Sequence, residues 1–136
     1  MLKTIILYCH YFFAFQCQEQ YKIPASIQLA QAMLESGYGQ SNVAKQSNNC
    51  FGILAFSNWK GDVYRVNKNL AFRKYDSIHC SYKDHAQFMA YHYESAVGKN
   101  WKYWVTNCKG YAAHNSYWKV LEKLIIDYKL DRFDTI

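Results

Sequence analysis

Between Ile23 and Gly52 the apolar positions crowd together: Ala25, Ile27, Leu29, Ala30, Ala32, Met33 and Leu34 are interrupted by Gln28, Gln31 and Glu35. A helix that is apolar nearly all round is a buried one. Pro24 fits the first helical position and Gly37 a left-handed cap, so the pattern predicts a buried helix of about three turns. The spacing of three and then four puts the two glutamines and Glu35 on one face. A polar stripe therefore crosses a buried helix and ends in a carboxylate.

Upstream, Met1 to Tyr8 carries one lysine before an apolar run, as a secretory signal does, but His10 and several tyrosines interrupt it and no small-residue cleavage site follows. An amphipathic first helix, with Ala14, Cys17 and Tyr21 at helical spacing, is the favoured alternative; the run is too short to span a membrane. From Tyr38 to Ser47 the chain is polar and small and suits a loop or short helix. Between Trp59 and Tyr75, residues alternate around an Asn67-Lys68-Asn69 turn, which predicts one β-hairpin. Ser77 is suited to cap a helix over about Ile78 to Val97, with Ile78, Tyr82, His85, Met89 and His92 along one face. A short helix around Trp101 to Cys108 follows, and a last one over Ser116 to Leu130 has Val120, Leu121, Leu124, Ile125 and Tyr128 at core spacing. The expected class is mainly α (α+β), a helical domain with a small hairpin lobe.

At 136 residues, 51% hydrophobic, the chain is expected to make one packed domain over residues 1–136, with no separate wall-binding module expected within it. Thirteen tyrosines and four tryptophans exceed the needs of such a core, so some rings are expected in a ligand cleft. The net charge of +6 suits an anionic partner, but no nucleic-acid-binding motif accompanies it, and no nucleic-acid partner is expected. Five cysteines without a Cys-x-x-Cys pair, and histidines without ligand spacing, argue against a metal site; no metal and no cofactor are expected. Buried thiols are favoured over one or two bridges.

Glu35 falls in the last turn of its helix, where the negative end of the dipole and apolar neighbours both disfavour the ionised form. A carboxylic acid kept protonated near neutrality suits general-acid catalysis; the plainer alternative is a cap or a partner for a nearby lysine. Asn48 and Asn49 have two compatible roles, holding a turn or presenting amides to a ligand. Trp59 and Tyr64 on the hairpin are candidate stacking rings, and Tyr111, just after Gly110, sits at a helix exit where it can be aimed into a cleft. Asp84 and His85, adjacent on a helix, do not face one another and are read as structural.

The ordered set Leu34-Glu35-Ser36-Gly37-Tyr38-Gly39-Gln40-Ser41, Asn48-Asn49, Phe51-Gly52-Ile53, Trp59-Lys60-Gly61, Phe72-Arg73-Lys74-Tyr75-Asp76-Ser77, Tyr82-Lys83-Asp84-His85 and Gly110-Tyr111-Ala112 resembles bacterial endo-β-N-acetylglucosaminidases that cut peptidoglycan. That family includes autolysins, phage lysins and the flagellar-rod hydrolase. The resemblance spans nearly the whole chain and implies a lysozyme-like fold, Glu35 as catalytic acid and Tyr111 as an active-site tyrosine. It also implies peptidoglycan glycan strands as partner, bound through Gln31, Tyr38, Asn48, Asn49, Phe51, Trp59 and Tyr64, and an extracytoplasmic location, peripheral to the wall, for a monomer.

Glycoside hydrolysis ordinarily takes a second carboxylate. Members of that family commonly carry one in a longer hairpin, whereas Asp62-Val63-Tyr64-Arg65-Val66-Asn67-Lys68 is short and basic, with Asp62 its only acid. Three schemes follow, in order of preference: attack by the substrate's own N-acetyl group, Asp62 as a displaced base, or binding with little cleavage. Cleavage after N-acetylglucosamine is the expected activity. A muramidase or lytic transglycosylase of the same fold and a glycan-binding protein are the alternatives.

Overall fold

The computed structural model describes residues 2–56, 58–112 and 116–136, the first six of them by their backbone; Met1, with which the expected first helix would begin, lies outside. In chain order the elements are α1 (Leu2–Tyr21), α2 (Ala25–Glu35), α3 (Asn42–Ser47), β1 (Asp62–Asn67), β2 (Leu70–Lys74), α4 (Ile78–His92), α5 (Trp101–Asn107) and α6 (Tyr117–Tyr128). Short 3-10 turns follow α4 and α6, at Glu94–Ala96 and Leu130–Phe133. The mainly helical class with one small hairpin is the architecture found.

The α2 helix is the axis of the core. Every residue from Ala25 to Met33 is buried, and α1, α4, α5, α6 and the turn after α6 pack around it. Full burial of Ile27 and Leu29 contributes about 1.5–3 kcal/mol each relative to exposure. Gly37, at φ 57°, ends the helix in the left-handed conformation, and the Tyr38 N–H reaches back to the Met33 carbonyl, completing a Schellman cap. The N-terminus differs by one residue from expectation. Pro24 precedes the first helical residue, with ψ 134°, and offers no capping side chain. The open N–H groups are met from far along the chain. The Gln18 amide oxygen accepts from Ala25, and the Asp134 carboxylate accepts from the Ser26 N–H and hydroxyl at 2.7 and 2.6 Å.

Ala14 and Cys17 of α1 are buried against this core, so the expected first helix is an integral wall of the fold. No helix among the described residues is long and apolar enough to cross a membrane. All five cysteines are free thiols, three of them buried.

The hairpin pairs Asp62 with Lys74 through to Asn67 with Leu70, irregular between Arg65 and Asn67. The segment after α3 is stitched to β2: Arg73 N–H donates to the Ile53 carbonyl, Ala55 N–H to Ala71, and Tyr75 N–H to Ser47. Ser77 caps α4 as expected, its hydroxyl accepting from the Cys80 N–H at 3.2 Å. The helix stops at His92 rather than continuing to Val97, because the chain tightens into the 3-10 turn and then reaches Gly98, whose φ is 81° and whose N–H binds the Lys22 carbonyl. In α6, Tyr117, Trp118, Leu121 and Ile125 form the buried stripe. Val120 lies off that stripe and is exposed, against its expected core position.

Candidate active site

A cleft of about 500 Å³ opens where the C-terminal end of α2, the 51–56 segment, β2, α4 and the 111–112 segment meet. Its lining includes Glu35, Phe51, Gly52, Phe56, Asn58, Arg73, Phe88, His92 and Tyr111. Among the described lining residues Glu35 is the only carboxylate.

Glu35 is presented by the last turn of α2, open to the cleft at its tip and crowded below. Crowding removes solvent and raises its carboxyl above the usual carboxylate range, while a hydrogen bond from Tyr117 favours the ionised form and limits the rise. Gly52, at φ 65°, brings bare backbone beside the acid: a Cβ built there would stand 3.7 Å from Glu35 Oε2.

The stripe behind the acid is tied to its neighbours through the amide nitrogens of Gln28 and Gln31. Gln31 Nε2 donates to the Tyr117 hydroxyl at 3.1 Å, so Tyr117 stands between a buried amide and the Glu35 carboxylate. Tyr111 stacks on Tyr117 with centroids 5.1 Å apart and planes 24° from parallel. Burial raises both phenols far above their ordinary pKa, and the nearby Glu35 charge adds to this, so each remains a neutral donor. One turn back, Gln28 Nε2 donates to the Tyr82 carbonyl and to His85 Nδ1, at 3.0 and 2.9 Å. That bond makes Nδ1 the acceptor and assigns the proton to Nε2. Burial lowers His85 to about 3, and its neutral ring stacks on Phe51 at 3.8 Å.

The opposite wall is built differently. Asn49, 1% exposed, donates from Nδ2 to the Ile53 and Arg73 carbonyls, both at 2.9 Å, and accepts at Oδ1 from the Phe51 and Ile53 N–H groups. Arg73 bridges the lobe to α4 through Asp84 at 2.9 Å and lies over the Trp59 ring, 4.6 Å from its centroid. Tyr75 also donates to Asp84, so Asp84 joins the hairpin to α4, the structural role expected for it. Trp59 itself packs against Gly61, where a Cβ would fall 2.4 Å from the indole ring.

Of the residues singled out in the sequence, Glu35, Phe51 and Tyr111 line the cleft together. Gln31 is completely buried and meets Tyr117 instead. The amides of Asn48 and Asn49 are bonded to main-chain carbonyls of the lobe, which is the turn-holding of their two expected roles. Trp59 donates its indole N–H to the Asp62 carbonyl at 2.8 Å, and Tyr64 sits half-buried opposite Phe72. Tyr38 packs near Tyr128, with ring centroids 6.2 Å apart. Asp62 is exposed at the start of β1, opposite Lys74. None of these seven lies in the cleft wall. Sequence reasoning missed Tyr117 and Phe88, and it set His92 on the face of Tyr82, His85 and Met89, whereas His92 is exposed and pairs with Phe88 one turn before it beside the cleft. The signal for the pair was their i,i+4 spacing just off the buried Tyr82–His85–Met89 stripe.

Residues 13–130 match the family described as Glucosaminidase: Mannosyl-glycoprotein endo-beta-N-acetylglucosaminidase. Exo-glucosaminidase LytG of Bacillus subtilis is 31% identical over 139 aligned positions, covering 87% of this chain and 49% of LytG. Peptidoglycan hydrolase FlgJ of Vibrio parahaemolyticus is 35% identical over 81 positions, covering 49% of this chain and 26% of that protein. The chain thus spans about half, or less, of the length of these relatives. Among solved structures, the catalytic domain of the autolysin Auto from Listeria monocytogenes superposes with a TM-score of 0.83 at 26% identity, over 98% of this chain and 88% of that one. The glycoside hydrolase domain of Salmonella typhimurium FlgJ gives 0.78 at 27% identity, over 95% and 89%. With a family match across most of its length and the same lysozyme-like fold, this chain belongs to the glucosaminidase family.

Proposed function

We propose that this chain hydrolyses the β-1,4 bond after N-acetylglucosamine in peptidoglycan glycan strands, at the cell wall, with Glu35 as general acid. The observation that carries the reading is Glu35 itself: the sole described carboxylate of an open cleft, its pKa raised by loss of solvent, with the Tyr117 phenol beside it. Relatives named peptidoglycan hydrolase and autolysin support the substrate class.

In this mechanism Glu35 gives its proton to the departing glycosidic oxygen. The carbonyl oxygen of the substrate's N-acetyl group closes on the anomeric carbon as that bond breaks, forming a cyclic oxazolinium. Glu35, now ionised, takes a proton from the water that opens this ring, and the free sugar leaves with retained configuration. Substrate assistance suits a cleft with one carboxylate, since no protein nucleophile is needed. Tyr117 orients the acid and steadies its ionised form between the two steps; Tyr111 supports Tyr117 by stacking.

The test is Glu35→Gln on purified peptidoglycan. Turnover is expected to fall by about 10²–10⁴-fold, the contribution of a positioned proton donor, while co-sedimentation with the wall persists. Wild-type digests are expected to carry N-acetylglucosamine reducing ends; muramic acid reducing ends would overturn the bond assignment, and equal turnover in the variant would overturn the acid.

A further inference from the structure

A second depression, of about 510 Å³, adjoins the cleft at Ala112. The two share Ala112, and the second is walled by Tyr117 and Trp118, with Lys109 and Lys119 at its edge. Both lysines are exposed and neither takes part in an ion pair among the described residues. Among the described residues no carboxylate lines this depression, the Cys108 thiol and Tyr117 phenol are kept neutral by burial, and the charged groups of the lining are the two lysines. Tyr117 also lies against Glu35, which places the depression one side chain away from the acid.

Elementary chemistry of the substrate gives this adjacency a meaning. If the bond cut is the one after N-acetylglucosamine, the oxygen that Glu35 protonates is O4 of a muramic acid. The neighbouring carbon of that sugar carries the lactyl ether, which ends in a carboxylate or continues into a stem peptide bearing several. An anionic arm therefore leaves the substrate within one sugar carbon of the protonated oxygen. In a muramidase the leaving O4 belongs to N-acetylglucosamine, whose neighbouring hydroxyl is unsubstituted, and a cationic pocket beside the acid would have nothing to bind.

We propose that the Lys109–Lys119 depression binds the carboxylate-bearing arm of the muramic acid on the leaving side of the scissile bond, and so selects peptidoglycan over uncharged glycans. The proposal rests on the cleavage reading above. Two solvent-exposed ion pairs each contribute a few-fold at most, so together they give a preference of about fivefold. Screening by salt weakens it.

The experiment compares kcat/KM on three preparations of one peptidoglycan. These are intact strands, strands stripped of stem peptide so that only the lactyl carboxylate remains, and intact strands whose carboxylates have been converted to amides. Wild type is expected to favour the intact over the amidated preparation by about fivefold, and a preference kept on stripped strands identifies the lactyl carboxylate as the group bound, its loss there the stem peptide. In Lys109→Gln/Lys119→Gln the intact-to-amidated ratio is expected to collapse towards one. The charge-matched control Lys60→Gln/Lys68→Gln, on the other lobe, is expected to keep the wild-type ratio. Equal wild-type rates on intact and amidated strands, an unchanged ratio in the first double variant, or an equal collapse in the control would each overturn the proposal. Muramic acid reducing ends would instead overturn the cleavage reading beneath it. N-acetylglucosamine ends with an unchanged ratio would overturn the depression's role alone.

Discussion

The two walls of the cleft differ in what their buried amides hold. On the helical side, side chain meets side chain: Gln31, Tyr117 and Glu35 form a relay behind the acid, and Gln28 holds His85 one turn deeper. On the lobe side, side chains chiefly bind main chain: Asn49 grips two carbonyls and two N–H groups and Asn48 grips the Tyr75 carbonyl, while Arg73 and Tyr75 anchor the lobe to Asp84 of α4. The first arrangement sets the protonation and aim of one carboxylate. The second sets only where a strand pair sits. Changes on the lobe wall should therefore act through stability, and changes on the acid wall through the pH dependence of turnover.

The largest effect expected is at Asn49. Asn49→Ala strands buried polar groups on both the 51–53 turn and β2, at a cost of about 2–3 kcal/mol, measurable as a lower urea midpoint. The pH profile of the remaining activity should keep its wild-type shape. A shifted profile would break the division between the walls.

Next comes His85→Phe, which keeps a ring stacked on Phe51 but removes the acceptor for Gln28 Nε2, at a cost of about 1–2 kcal/mol near pH 7. Wild-type His85 is held neutral, its pKa lowered to about 3 by burial against an unfolded value of 6.5. Its contribution is complete above pH 6.5 and is lost as pH falls towards 3, because the unfolded chain then binds the extra proton. Asp134 acts in the opposite sense: burial raises its carboxyl from 3.8 to about 6, so its contribution is greatest below 3.8 and fades as pH rises through 6. Urea titrations from pH 7 down to 4 should show a shallower acid loss in the variant than in wild type. An identical slope would remove His85 from the account.

Tyr117→Phe sharpens the comparison from the acid wall. The hydroxyl favours ionised Glu35, so its removal should raise the Glu35 pKa further and carry the alkaline limb of kcat to higher pH. Turnover at the optimum should fall by about tenfold as the ionised acid loses its donor, a charge-assisted hydrogen bond. A limb that stays in place, or moves to lower pH, would sever the link between Tyr117 and the acid.

The sequence was most legible where one helix sufficed. The span of α2, its left-handed stop at Gly37 and the facing of Gln28, Gln31 and Glu35 all follow from local pattern. What escaped depends on distant partners. Pro24 falls just outside the helix because Gln18 and Asp134, the latter 108 positions away, supply the N-terminal acceptors that a local cap would have provided. Tyr117 reads locally as an ordinary core aromatic and gains its place at the site only by meeting Gln31, 86 positions earlier. Val120 fits the helical period equally well, but α6 packs against α2 and α5 with Trp118, Leu121 and Ile125 buried, which leaves Val120 on the outer side.

The smallest effect is expected at Asp62, and it is the one that most directly tests whether the lobe wall carries chemistry. Its side chain is exposed at the rim of the hairpin, its carbonyl serves Trp59, and the cleft lining does not include it. Asp62→Asn keeps that carbonyl and the register with Lys74 and should change kcat by less than about twofold, within the range of a surface substitution. The stereochemistry of wild-type cleavage gives an independent reading. Attack by the N-acetyl group leaves the β-configuration at the new reducing end, whereas a water activated by a distant carboxylate on the opposite face of the ring would invert it. Proton NMR of the first products distinguishes the two before mutarotation mixes them. An α-anomer together with a loss of two orders of magnitude in Asp62→Asn would move the second catalytic group onto the hairpin, and the lobe would then carry chemistry as well as shape.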